Sequence, residues 1–140
     1  MQRIIVATDG SPGANRAIDT AARLAKEKRC ELLILTIGGE ISGAELRQIA
    51  STDGDLSKTL QKAADQVLGK ARQRARRIGA TTVTLQTGWG DPAETIIGAV
   101  RRGDILVVGR RGRGRLSGLL LGSVSQKLAS LAPCVVMVVP

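Results

Sequence analysis

Aromatic residues and histidine are almost missing from this chain of 140 residues, which has one Trp, no Tyr, no Phe and no His. The absence of histidine excludes Ser-His-Asp and Cys-His nucleophile systems, histidine-based zinc sites and histidine acid–base catalysis. The shortage of aromatics means that the core must be built from Val, Ile, Leu and Ala. Such cores suit parallel sheets, because their strands are buried on both faces.

Cysteine is scarce as well, and Cys30 and Cys134 are not spaced like metal ligands or a redox pair. Two thiols do not make a disulfide scaffold, so we expect a reduced compartment. The sequence also lacks a signal-peptide pattern and any apolar run near the ~20 residues of a membrane span. These absences predict a cytoplasmic protein with one domain over residues 1–140.

Positive charge is abundant, since 21 Lys and Arg residues against 12 Asp and Glu residues give a formal net charge of +9. This excess favours acidic partners, such as nucleotides, nucleic acid or anionic lipid. The sign of the charge alone does not choose among them.

Short apolar runs alternate with amphipathic segments along the chain. The runs predict strands over residues 1–8, 32–37, 81–87, 105–108 and 135–139. Helical spacing predicts helices from Pro12, over 56–78, after Asp91 and over 122–130, with a polar loop at 40–55 that contains a helical turn at 44–49. Strand–helix alternation of this kind predicts an α/β fold with a doubly wound parallel sheet.

Two unusual loops follow strands one and four. The first contains Thr8 and Asp9, and the second is rich in glycine and arginine over residues 109–115. If strands one and four are neighbours where the strand order reverses, the loops face each other across one crevice. Glycine amides, together with a helix that opens near residues 122–125, are suited to binding phosphate.

The glycine spacing discriminates among known nucleotide motifs. A P-loop would need a Lys-Ser/Thr pair where Arg115-Leu116 stands, and a dinucleotide motif would need glycine where Ser117 stands. By contrast, Gly109-Arg110-Arg111-Gly112, nine residues and Gly122-Ser123 resemble the Gly-x2-Gly-x9-Gly-Ser/Thr signature of ATP-binding universal stress proteins. Further blocks at residues 5–11, 90–93, 104–109 and 132–140 extend the resemblance over nearly the whole chain.

This resemblance implies a five-stranded sheet in the order 3-2-1-4-5 and a homodimer formed through strand five, with Val136 and Val138 near the seam. It implies ATP as the ligand, which Mg²⁺ can accompany. Ala7, Thr8 and Asp9 would line the adenosine end and Ile37 would contact adenine. Gly109, Arg110 and Gly112 would border the ribose and phosphates, and the phosphates would be held by Gly122, Ser123, Val124 and Ser125.

Several functions remain open from the residues themselves. The chain offers one carboxylate, Asp9, near the expected phosphates and no lysine in the phosphate loop, so efficient phosphoryl transfer is not implied. A nucleotide-dependent regulator in stress response is therefore favoured over a weak ATPase. The alternatives are an interaction dimer with a vestigial nucleotide site and, less favoured, a nucleic-acid binder that uses the loop arginines. Trp89 is expected in a loop after strand three, in a packing role.

Overall fold

The computed structural model describes residues 2–38, 56–110 and 122–140. Its strands are β1 (Arg3–Ala7), β2 (Glu31–Gly38), β3 (Val83–Trp89), β4 (Ile105–Gly109) and β5 (Val135–Val139). Its helices are α1 (Pro12–Lys28), α2 (Leu56–Ile78), α3 (Pro92–Ala99) and α4 (Ser123–Leu131). The helical turn predicted at 44–49 and most of the loop after β4 lie outside the described residues.

The five strands form one sheet in the order β3-β2-β1-β4-β5, and all neighbouring pairs are parallel. This confirms the predicted fold class and strand order. In the register, Val6 lies between Ile34 of β2 and Val107 of β4. The order reverses between β1 and β4, and that reversal places a crevice at the carboxyl ends of these two central strands.

Local chemistry accounts for the helix boundaries. Ser11 caps α1, because its side chain accepts a hydrogen bond from the amide of Ala14, and Pro12 occupies the first turn. Asp91 caps α3 in the same way. Gly79 ends α2 with a φ of 123°, a left-handed conformation that glycine adopts without steric cost. The sequence predicted all three boundaries.

The core has two halves, one on each face of the sheet. On one face α1 and α2 pack against Ile4, Val6 and Ile34 through small side chains such as Ala21. On the other face α3 and α4 pack against a second set of strand residues, which includes Ile5, Leu33, Leu35 and Leu106. The alanines of α1 and α2 let both helices approach the sheet closely, as a core without aromatic side chains requires.

The third strand differs from its prediction. It was predicted over residues 81–87, but it begins two residues later and ends at Trp89, which was predicted in a loop. Pairing with β2 fixes these limits, since Val83 lies opposite Leu32 and Trp89 lies opposite Gly38. Two glycines, Gly88 and Gly90, flank the tryptophan, and glycine is depleted in strands.

An ion pair links β1 to the residue before β4 at the amino ends of these central strands. The Nε and Nη2 atoms of the Arg3 guanidinium donate to the two carboxylate oxygens of Asp104, at 3.0 and 2.7 Å. The amide of Arg101 donates to the same carboxylate at 2.7 Å. Burial by itself would raise the pKa of Asp104, but these hydrogen bonds and the nearby arginine charges lower it below its usual range. The pair therefore stabilises the junction of β1 and β4 far from the crevice.

None of the helices within the described ranges combines the length and hydropathy that crossing a bilayer requires.

Candidate functional site

The turn after β1 is held by its own polar groups. Thr8 continues the sheet, because its amide donates to the carbonyl of Leu35 at 2.9 Å, and the hydroxyl of Thr36 donates to the carbonyl of Thr8 at 2.7 Å. The hydroxyl of Thr8 accepts from the amide of Gly10 at 3.1 Å, and a carboxylate oxygen of Asp9 accepts from the amide of Ser11 at 2.9 Å. Asp9 is thereby fixed, half-buried, at the carboxyl end of β1.

The supporting role of Thr36 was missed from the sequence. Thr36 is 5% exposed and lies in a strand whose neighbours are apolar. A lone hydroxyl in the run Leu32-Leu33-Ile34-Leu35-Thr36-Ile37 was the available signal, because a buried hydroxyl needs a hydrogen-bond partner.

The segment that follows β4 is tied to both β5 and α4. The amide of Arg110 donates to the carbonyl of Val139 at 2.7 Å, and the carbonyl of Arg110 accepts from the amide of Gly122 at 2.9 Å. The hydroxyl of Ser125 donates to the carbonyl of Gly109 at 2.7 Å. These bonds bring the two ends of the glycine- and arginine-rich loop together, although Gly112 itself lies outside the described residues.

The first turn of α4 is the unusual feature of this edge. Helices α1 and α3 each have a side-chain cap on their first amides, whereas Gly122, the cap residue of α4, has no side chain to offer. Among the residues that the structure describes, none accepts a hydrogen bond from the amides of Ser123, Val124 or Ser125. Open amides at a helix start attract anions, and the helix dipole adds to that attraction.

The register brings the two loops to one place. Val6 lies beside Val107, so Thr8 and Gly109 each follow two residues farther along neighbouring strands. On the side of β1 away from β4, Ala7 pairs with Leu35 of β2, so Ile37 follows two residues farther along β2 and lies beside Asp9. Residues from three strands and the start of α4 therefore border one crevice.

The predicted site residues differ in how accessible they are. Thr8, Ile37 and Ser125 are buried, and their exposed fractions are 6%, 9% and 6%. The half-buried residues are Ala7, Asp9, Gly109, Arg110, Gly122 and Val124, and Ser123 is exposed. A ligand in this crevice would meet mostly backbone groups, the Ser123 hydroxyl and the Asp9 and Arg110 side chains.

The carboxylates with perturbed pKa values lie away from the crevice. Asp104 is at the opposite edge of the sheet, and the pKa of Asp19 is lowered by its hydrogen bonds from Arg74, which joins α1 to α2. Within residues 2–38, 56–110 and 122–140, no three histidine, cysteine or acidic side chains are grouped to hold a metal ion. The ion pairs Arg3–Asp104 and Arg74–Asp19 of the described residues therefore stabilise the fold and lie outside the crevice.

Together these features define an α/β protein with an anion-attracting crevice at the reversal point of a parallel sheet. Residues 1–140 match the model of the universal stress protein family. A universal stress protein of Bacillus subtilis, YxiE, is 33% identical over 145 residues, which cover 98% of this chain and 97% of that protein. The chain belongs to the universal stress protein family.

Solved structures agree with the fold. A universal stress protein in complex with cAMP is 28% identical, covers 99% of this chain and 95% of its own, and superposes with a TM-score of 0.74. The universal stress protein UspA from Lactobacillus plantarum, at 23% identity, covers 99% of this chain and 97% of its own and has a TM-score of 0.77. The latter likeness shows the fold alone.

Proposed function

We propose that this protein binds ATP in the crevice between the loops after β1 and β4 and acts as a nucleotide-dependent regulator in stress response. The observation that carries the proposal is the start of α4, where three amides that have no acceptor among the described residues adjoin the segment that Gly109 and Arg110 anchor. The solved relative in complex with cAMP supports an adenine nucleotide as the ligand class.

The phosphates would contact amides more than side chains. The amide of Gly122 already donates to Arg110, and the hydroxyl of Ser125 already donates to Gly109. The amides of Ser123, Val124 and Ser125, which have no acceptor among the described residues, would bind a phosphate, and the exposed Ser123 can add its hydroxyl as a fourth donor. The role that the family resemblance gives to Ser125 is therefore assigned to its backbone.

Charge and shape suggest how the rest of the nucleotide would lie. Arg110 is half-buried as a residue, and its guanidinium would attract the phosphates, while Gly109 and Gly112 would border the ribose. Ala7, Thr8, Asp9 and Ile37, on the other side of the reversal point, would line the adenosine end. The carboxylate of Asp9 would accept a hydrogen bond from the ribose, and Mg²⁺ would enter with the nucleotide.

Regulation is favoured over catalysis because the crevice offers few groups for phosphoryl transfer. Asp9 already accepts a hydrogen bond from the amide of Ser11 at 2.9 Å, and no lysine occupies the sequence of the phosphate loop. Efficient hydrolysis needs a positioned base and charge clamps on the transferred group. Slow turnover, if it is measured, should fall in Asp9→Ala and survive extensive purification.

We also propose a homodimer in the cytoplasm, assembled through β5. This strand is an edge of the sheet, and an unpaired edge is a ready site for pairing with a second copy. Val136 and Val138 are half-buried on β5, and Val135 at the start of the strand and Leu131 at the end of α4 are each 63% exposed. Light scattering on the purified protein would give the mass of a dimer, and the mass of a monomer would refute this part of the proposal.

The central experiment identifies any nucleotide that co-purifies and then titrates ATP by calorimetry. Gly122→Val should abolish binding, because a branched side chain at the cap would crowd the phosphate position. The backbone of Gly122, with φ −64° and ψ 159°, suits any residue, so the fold should survive. Gly98→Val on α3 is the matched control, since Gly98 is exposed and a Cβ atom added there would contact no other part of the described structure. A wild-type protein that binds no adenine nucleotide would overturn the proposal.

A further inference from the structure

The single tryptophan of the chain occupies an unexpected position. Trp89 is the last residue of β3, an edge strand, and it is 49% exposed. A large apolar side chain left half in water on a strand end has no evident role in the core. Its position places it at the carboxyl edge of the sheet, which is the edge that borders the crevice.

The indole lies over the neighbouring strand instead of pointing away from the sheet. A Cβ atom added to Gly38 would come within 2.4, 2.6 and 2.8 Å of three carbons of the six-membered ring of Trp89. The ring therefore covers the backbone of Gly38, the last residue of β2. Only glycine allows a ring to approach a strand this closely.

The backbone around the tryptophan is fitted to hold it there. A Cβ atom at Gly88 would lie 2.4 Å from the Cγ2 atom of Thr95, so glycine is required where α3 packs against β3. The hydroxyl of Thr95 donates to the carbonyl of Trp89 at 3.3 Å, and Gly90 turns the chain with a φ of 117°. The position of the ring is thus set by three glycines and one hydrogen bond.

The ring lies on the same face of the sheet as Thr8, the residue that opens the turn after β1. Side chains alternate between the faces of a strand, so Thr36 and Gly38 face the same side of β2, the side on which the indole lies. Thr36 in turn donates to the carbonyl of Thr8, the residue that precedes Asp9. The indole and Thr8 therefore lie on the same face of the sheet, on either side of β2, at the edge that borders the crevice.

We propose that Trp89 is a specificity-determining residue whose indole provides an aromatic platform for the base of the bound nucleotide. The inference rests on the proposed function, because it assigns the base end of that site. A base stacked on an aromatic side chain gains about 1–3 kcal/mol, and a purine offers a larger face than a pyrimidine. Trp89 would thus favour adenine nucleotides over ligands that lack a purine.

Fluorescence tests the inference directly, because the chain has one Trp and no other aromatic residue. Calorimetry and tryptophan emission are recorded with three ligands: ATP, CTP and inorganic tripolyphosphate. ATP should quench or shift the emission and protect the indole from acrylamide, whereas tripolyphosphate should bind without either effect. CTP should bind more weakly than ATP.

Two substitutions separate stacking from folding. Trp89→Leu should weaken ATP at least about fivefold, the lower bound for one lost stack, and leave tripolyphosphate binding unchanged. Trp89→Phe should recover most of the affinity. Gly38→Ala displaces the ring without removing it and should weaken ATP in the same direction. Gln73→Ala, which alters an exposed side chain on α2 away from the crevice, is the control and should bind ATP as the wild type does.

The outcomes distinguish this inference from the function on which it rests. If the wild type binds ATP with no change in emission or acrylamide protection, the inference is overturned while ATP binding stands. The same holds if Trp89→Leu binds ATP with wild-type affinity. If the wild type binds neither ATP nor tripolyphosphate, the proposed function fails together with the inference. Should Trp89→Leu not fold, the wild-type emission and Gly38→Ala still decide the matter.

Discussion

The buried hydroxyl of Ser125 should contribute substantially to the stability of this protein. It donates to the carbonyl of Gly109 at 2.7 Å, and Ser125 is only 6% exposed. Ser125→Ala would leave a sheltered carbonyl without this partner, which costs roughly 1–3 kcal/mol. With about 2 kcal/mol lost, a domain of this size should melt about 6 °C lower.

Thermal unfolding by circular dichroism measures this loss, with Ser130→Ala as the control. Ser130 lies on the same helix and is exposed, so its substitution should leave the melting temperature nearly unchanged. ATP affinity should also fall in Ser125→Ala, because the hydroxyl fixes the carbonyl of Gly109 against the first turn of α4. That turn provides the amides assigned to the phosphates.

Equal melting temperatures for the two serine variants would refute the reasoning about the buried hydroxyl. Equal ATP affinity in Ser125→Ala and the wild type would show that the bond to Gly109 does not position the phosphate site. A loss of affinity without a loss of stability would instead place the Ser125 hydroxyl on the nucleotide itself.

Three further predictions concern the frame around the site. Asp104→Ala should cost about 3 kcal/mol in urea unfolding, because the Arg3 guanidinium loses its buried partner. Because the folded-state pKa of Asp104 is lowered, the pair stabilises the protein above the unfolded pKa near 4, and this contribution is lost as the pH falls through the folded-state pKa. The free energy of unfolding of Asp104→Ala should therefore decrease less than that of the wild type as the pH is lowered. Thr36→Val should cost about 1–3 kcal/mol by leaving the carbonyl of Thr8 unpaired, again measured by urea unfolding, and an unchanged midpoint would argue against it. Burial raises the pKa of the Cys134 thiol, and the charge of Asp104 raises it further, so Cys134 should react with iodoacetamide much more slowly in the folded than in the unfolded protein, as mass spectrometry would show.

Local sequence determined most of the secondary structure. Apolar runs and helical spacing depend on neighbours within a few residues, and so do the caps at Ser11, Asp91 and Gly79. The glycine spacing from Gly109 to Ser123 likewise pointed to an anion site before any packing was known. These features were readable because the chemistry that produces them acts along the chain.

Tertiary structure decided what depends on residues far apart in the chain. The partnership of Thr36 with Thr8 and the clamp of Arg3 on Asp104 arise only when β1 meets β2 and β4. The end of β3 was set by pairing with β2, which overrode the glycines beside Trp89 and laid the indole on its neighbouring strand. Sheet register is a property of two strands at once, and for that reason one strand's sequence did not reveal it.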